Sequence, residues 1–186
     1  MSNREALREL QGRLARRLQQ ARTETRVQSW LAVECAGLGL LLPLPSAGEI
    51  FPYSPLLPVP HTRAWFLGVA NLRGGLHGVV DLAAFLGLRA PLAADAVREG
   101  AQLLAFNPAQ GAHCAVLVDR LAGLRSQGQL AALPDTEADT DAAAGPAGAM
   151  RPAFAGAHWR DESGRAWQEI DLAALARNEH FLAIAA

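Results

Sequence analysis

A chain of 186 residues, 51% of them hydrophobic, is long enough for one domain or two small lobes sharing a core, and no apolar run approaches a membrane span. The formal net charge of −1 argues against general binding to nucleic acid. No lysine occurs, so the permanent positive charges are all arginine, which excludes P-loop and Schiff-base lysine chemistry.

The first stretch, MSNREALREL, is polar and charged, unlike a secretory leader. Residues 1–25 are expected to carry an N-terminal amphipathic helix, its regular part over 2–22. Ser2 and Glu5 have capping-box spacing, in which each side chain satisfies a free backbone N–H. Leu7, Leu10, Leu14, Leu18 and Ala21 recur every three or four positions and line one face. Arg4, Arg8, Arg13, Arg16, Arg17 and Arg22 cover much of the remainder. Such a helix packs its stripe on its own domain with solvated arginines, or it docks on anionic lipid or a partner.

Residues 26–186 then read as one domain. Residues 30–35 and 38–42 form strands joined through Ala36-Gly37 as a hairpin. Pro43, Pro45, Pro52, Pro55, Pro58 and Pro60 follow closely, and proline lacks the N–H a central strand needs. A strand over 49–53 is therefore short or at an edge. Residues 66–87, FLGVANLRGGLHGVVDLAAFLG, contain a strand, a turn through Asn71, Arg73, Gly74 and Gly75, a second strand over 76–82 and a helical turn over 82–86. Glycine and asparagine tolerate positive φ, which suits them to that turn.

Further strands are expected over 101–107, 112–119 and 121–124. Residues 132–150 carry small residues, Pro134, Pro146 and the acids Asp135, Glu137, Asp139 and Asp141. That composition buries too little apolar area to offset ordering, so it reads as a mobile acidic loop within the domain. Residues 154–157, a turn over 161–164 and Glu169-Ile170-Asp171-Leu172-Ala173-Ala174-Leu175 echo the order of 66–86. Asp171 is placed to cap a short helix over 172–177, and 181–185 reads as a closing strand.

No catalytic or metal pattern emerges. Asp81, Asp119 and Asp171 follow apolar strands as an aspartic-protease carboxylate does, yet none precedes Thr/Ser-Gly. Gly37-Leu38-Gly39 lacks the third glycine of a dinucleotide fingerprint, and no GxSxG elbow occurs. His61, His77, His113, His158 and His180 are scattered without HExxH, and Cys35 and Cys114 lie far apart with no CxxC. The cysteines read as buried free thiols of a cytosolic protein, the alternative being a disulfide in a secreted one. No cofactor and no enzyme activity are expected.

The run Gly68-Val69-Ala70-Asn71-Leu72-Arg73-Gly74, followed by Val79-Val80-Asp81-Leu82, closely resembles the signature of CheW-like domains. Gly78 stands where that family usually has proline. Glu49-Ile50 and Val59-Pro60 match the acidic-apolar pair and the proline-containing approach that precede the turn. The resemblance covers about residues 26–177. It implies an all-β fold of two five-stranded SH3-like barrels related by pseudo-twofold symmetry, with the N-terminal helix as an addition. It also implies a non-catalytic cytoplasmic adaptor at membrane-associated receptor arrays. Such an adaptor couples a CheA-type histidine kinase to the cytoplasmic tip of methyl-accepting chemoreceptors, with no nucleic acid and no direct membrane insertion. In that family the kinase docks on a hydrophobic barrel surface and the receptor tip uses a groove between the lobes. Arg73 and Glu49 correspond to the family's partner-binding surface, which carries Ile50, Asn71 and Gly74 with them. The N-terminal helix and divergent second half look more like the PilI type of twitching motility, a type IV pilus signalling system. The flagellar coupling protein and a small β-barrel binding a ligand or nucleic acid are the alternatives, the latter weakened by the lack of a basic aromatic face.

Overall fold

The computed structural model describes residues 28–92, 99–134 and 152–186. The helix expected over 2–22 and residues 135–150 of the expected acidic loop lie outside these described residues.

Apolar runs such as Leu103 to Phe106 and Ala115 to Val118 are too continuous for strands wetted on one face. They are buried on both faces, and successive residues enter different cores. On β6 (Gln102–Phe106) and β7 (Cys114–Val118), Leu103, Ala105, Ala115 and Leu117 fill one interior. Their neighbours Leu104, Phe106, Val116 and Val118 point the opposite way, into a core shared by the two halves of the molecule. On β1 (Ser29–Cys35) and β2 (Leu38–Pro43), Leu31, Val33, Cys35, Leu40 and Leu42 enter the shared core. Trp30, Ala32 and Leu41 point into a third cluster with Leu130 and Trp167. Period-two alternation thus makes two separate interiors and one seam between them.

The remaining strands are β3 (Ala47–Pro52), β4 (Phe66–Leu72), β5 (Gly75–Asp81), β8 (Arg120–Ser126), β9 (Leu130–Leu133), β10 (Ala155–Asp161) and β11 (Ala166–Ile170). One sheet has five strands in the order β3-β6-β7-β5-β4, and the other has six in the order β8-β1-β2-β11-β10-β9. The two orders correspond. Each has an edge strand, an antiparallel hairpin, a parallel junction (β7 with β5, β2 with β11) and a second antiparallel hairpin. The expected pseudo-twofold pair of SH3-like barrels is therefore present, and β9 is a sixth strand that the second lobe adds.

The echo between 66–86 and 154–175 has a structural counterpart. Asp81 ends β5 and Asp171 directly follows β11, and each caps a four-residue helix, α1 (Leu82–Phe85) and α2 (Leu172–Leu175). Asp81 accepts from the Ala84 N–H at 3.2 Å, and Asp171 accepts from Ala173 and Ala174 at 2.8 and 3.1 Å. Asp81, fully buried, also takes the Arg89 guanidinium at 2.8 Å. Arg89 reaches Asp119 at 2.6 Å, where the chain leaves β7 for β8, and Asp119 in turn accepts from the Ala36 N–H of the β1–β2 turn at 2.7 Å. One arginine thereby ties both lobes together at their crossing point.

Two sequence expectations are corrected. Residues 181–185 do not form a closing strand: Glu179–Leu182 is a helix (α3), capped by the Asn178 side chain accepting from the Phe181 N–H at 3.0 Å. Only Ala185 pairs as a strand does, in a single bridge with Thr62. Phe181 is buried against Trp65, Phe85 and Phe106, and that aromatic packing holds the helix. Residues 132 and 133 belong to β9, paired with Trp159 and His158, so the expected loop begins after them. Cys35 and Cys114 are free thiols, both pushed up to about 12 by burial, with the Asp119 charge adding to the effect at Cys35.

Candidate partner-binding surface

The hairpin β4–β5 closes through a two-residue turn, because Leu72 pairs with Gly75. Arg73 and Gly74 both have positive φ, 50° and 84°, as a type I′ turn requires. Glycine adopts that conformation freely, while arginine there costs about 1–2 kcal/mol. Asn71 serves the turn differently from the sequence expectation. It stays in the strand, and its Oδ1 accepts from the Gly74 N–H at 2.8 Å. The positive-φ position two residues on falls to Arg73, whose side chain is held out at the tip. Gly78, the departure from the family's proline, keeps its register opposite Val69 and Cys114.

Glu49 is aimed by a bulge. The β3–β6 register shifts between Ala47 and Ile50, leaving Gly48 and Glu49 opposite a single residue of β6. Gly48 permits this, since a Cβ there would lie 2.6 Å from the Ala105 carbonyl oxygen. The result is an ion pair, Arg73 to Glu49 at 2.6 Å, with side chains 75% and 42% exposed. At that exposure the pair contributes about 1 kcal/mol or less to folding. Ile50 follows Glu49 and is 38% exposed. All five residues singled out in the sequence thus lie on the exposed rim of one lobe, Glu49 and Ile50 on β3 and Asn71, Arg73 and Gly74 on the hairpin. The salt bridge connects the two groups.

Two neighbours were not singled out from sequence. Leu76 pairs across the hairpin with Asn71 and is 66% exposed, and Leu57 bridges to Val69 and is 69% exposed. Leu76 stands between the turn glycines and His77, where an apolar residue in a short hairpin is the only sequence signal. Exposed apolar side chains on the same hairpin and its flank as a solvated guanidinium–carboxylate pair suit a protein partner, which can exchange either charge and cover the leucines.

The second lobe carries a different charged cluster. Glu34 receives Arg120 at 2.7 Å and also Arg165. Burial raises the Glu34 carboxyl, but these hydrogen bonds, Arg165 first, outweigh it and hold it below the usual carboxylate range. Asp161 behaves likewise. Burial raises it, while hydrogen bonds from Ser163 and Trp167 and the backbone N–H groups of Arg165 and Ser163 bring it down to about 2. Arg165 and Arg125 lie 4.6 and 5.5 Å from the Trp167 ring centroid. These contacts lock the lobe's own turns. Among the described residues, no three or more His, Cys, Asp or Glu gather as metal ligands, and no helix is long and apolar enough to cross a membrane.

The chain matches the family model described as "CheW-like domain" over residues 29–180. It is 48% identical over 42 residues to "Chemotaxis protein CheW" of Rhizobium meliloti (strain 1021), covering 23% of this chain and 27% of that protein. It is 35% identical over 63 residues to "Protein PilI" of Pseudomonas aeruginosa, covering 33% of this chain and 35% of that protein. These matches span about a quarter to a third of the length of the curated relatives. In structure it resembles the scaffolding protein TtCheW from Thermoanaerobacter tengcongensis, with a TM-score of 0.58 at 15% identity, over 77% of this chain and 88% of that one.

Proposed function

The chain belongs to the CheW-like domain family, and from that membership we propose that it is a non-catalytic adaptor coupling methyl-accepting chemoreceptors to a CheA-type histidine kinase. The observation that carries the reading is the Glu49–Arg73 pair, raised on a bulge and a strained turn and left in solvent, on a hairpin that also exposes Leu76. A pair of such small value to folding needs no such backbone devices, and a partner-facing role accounts for them. The adaptor works in the cytoplasm, at the membrane-proximal arrays where its receptors sit. We place it in the PilI type, serving type IV pilus twitching motility, on the longer stretch shared with the PilI protein and on the amphipathic segment ahead of the domain. The flagellar coupling protein is the second reading, favoured by the higher identity over the shorter match.

Charge reversal tests the surface. Arg73→Glu and Glu49→Lys each leave the unfolding midpoint nearly unchanged, because surface changes usually cost within about 0.5 kcal/mol. Each weakens receptor or kinase binding by about 2 kcal/mol, a loss of more than tenfold in a titration against purified fragments. The double variant Arg73→Glu/Glu49→Arg restores the internal pair with its polarity reversed. It stays weak if the two charges meet a partner. Recovery of full binding would show that they only hold each other, and wild-type affinity in both single variants would remove the assignment.

A further inference from the structure

Two histidines that lie far apart in the chain meet at one end of the first lobe's interior. Val79 of β5 and Ala115 of β7 pair across the parallel junction and face that lobe's own core. Two residues earlier in each segment, the same face carries His77 and His113, tied at the backbone by the Gly78 N–H donating to the His113 carbonyl at 3.0 Å. Their rings lie edge to face, with centroids 6.0 Å apart and planes at 74°. His77 is half-buried and His113 is exposed, so the pair opens to solvent. The His77 ring is held in one orientation. Its Nδ1 lies 3.0 Å from the Gly75 carbonyl, which can only accept, so in the neutral ring Nδ1 carries the proton and Nε2 keeps its lone pair. Gly75 leaves room for this, since a Cβ there would stand 3.0 Å from His77 Cε1. A backbone carbonyl on one ring nitrogen is the arrangement that fixes the tautomer of a metal-binding imidazole.

We propose that His77 and His113 form an open two-histidine site for a divalent transition-metal ion of the zinc–copper class, with water completing the coordination shell. With zinc about 2.0–2.1 Å from each nitrogen, the ion sits about 3.2 Å from each ring centroid. Two ligating rings are then about 5.2 Å apart at a tetrahedral angle and at most about 6.4 Å apart. The observed 6.0 Å lies inside that limit, and rotation of the exposed His113 side chain closes the remainder. Imidazole nitrogens suit zinc, copper and nickel, whereas magnesium and calcium take oxygen ligands. All five histidines and both cysteines of the chain are among the described residues, and no three or more His, Cys, Asp or Glu gather there. The site is therefore exchangeable rather than a closed structural one. Metal bound there cross-links β5 to β7 at the base of the hairpin whose tip carries Arg73. The inference does not rest on the adaptor reading.

Zinc titration of the untagged full chain tests this, followed by calorimetry and by the imidazole proton resonances. One zinc ion binds per chain, and the Cε1 proton signals of His77 and His113 shift while those of His61, His158 and His180 stay. His77→Gln and His113→Gln each weaken the binding about tenfold or more, and His180→Gln leaves it unchanged. If His77→Gln fails to fold by circular dichroism, the exposed His113→Gln decides the matter alone. Parental zinc affinity in folded His113→Gln would overturn the proposal. So would the lack of saturable binding below about 1 mM zinc, or shifts confined to the other three histidines.

Discussion

The two lobes share one strand plan and differ at one edge. In the second lobe the chain leaves β8, turns through residues 127–129 and lays down β9, which pairs with β10 over Leu130 to Leu133. In the first lobe the chain leaves β3 in the same way and approaches β4, yet makes only the bridge of Leu57 with Val69. Proline explains the difference. In the Leu57–Val69 register the next rung faces Pro55 to Asn71, and Pro55 has no N–H to donate. Pro52, Pro58 and Pro60 keep the flanking segment out of the ladder as well. Where the second lobe is closed by a strand, the first keeps an open rim, and the Glu49–Arg73 pair lies there. The lobe without the sixth strand is the one that leaves its rim uncovered.

The comparison can be broken most severely at its joint. Arg89→Met leaves Asp81, fully buried, without its cation, and should destabilise the protein by about 3–5 kcal/mol in urea unfolding. The equivalent second-lobe aspartate has only its helix to hold, so Asp171→Ala should cost about 1 kcal/mol. Equal losses would mean that Arg89 does not distinguish the lobes. Between these lies Gly48→Ala, which drives a Cβ into the Ala105 carbonyl and should cost about 1–3 kcal/mol while displacing Glu49 from Arg73. The smallest effect is on acid sensitivity. The Asp161 carboxyl is held near 2 in the folded chain against an ordinary 3.8. Its contribution is thus complete above the unfolded value and is lost as pH falls through the folded one. Urea midpoints taken from about pH 4 down to pH 2 should fall less steeply in Asp161→Asn than in the parent. Parallel profiles would show that Asp161 carries none of the second lobe's acid response.

Much of this plan was legible in the residues. Two hairpins were legible from Ala36-Gly37 and from the Asn71–Gly75 run, although the residues did not show that Ala36 and Arg73 would take the positive φ ahead of each glycine. The caps at Asp81 and Asp171 follow from a carboxylate between a strand and Leu-Ala-Ala. What escaped were short elements and long-range partners. Glu179–Leu182 makes a single turn, too brief for any period to register, and is held by Phe181 entering an aromatic cluster assembled from distant residues. β9 looked like the start of a small-residue tract, since Leu130-Ala131-Ala132-Leu133 has weak strand propensity and depends on β10 for its pairing. Arg89 sits 8 residues from Asp81 and 30 from Asp119, separations at which sequence offers no rule for pairing. At the rim, the resemblance supplied Glu49 and Arg73 separately, and the fold joins them in one ion pair.

The interleaving of the lobes has a consequence for the nascent chain. Everything the first lobe's sheet needs, β3 through β7, lies in the unbroken stretch from Ala47 to Val118. The second lobe is split around it: Leu40 and Leu41 of β2 wait for Gln168 and Glu169 of β11. On a ribosome the first lobe can therefore close while the β1–β2 hairpin, with Trp30 and Leu41 still uncovered, remains without its parallel partner. The lobe with the exposed Glu49–Arg73 rim is complete early, and the lobe that seals itself is the last to be finished.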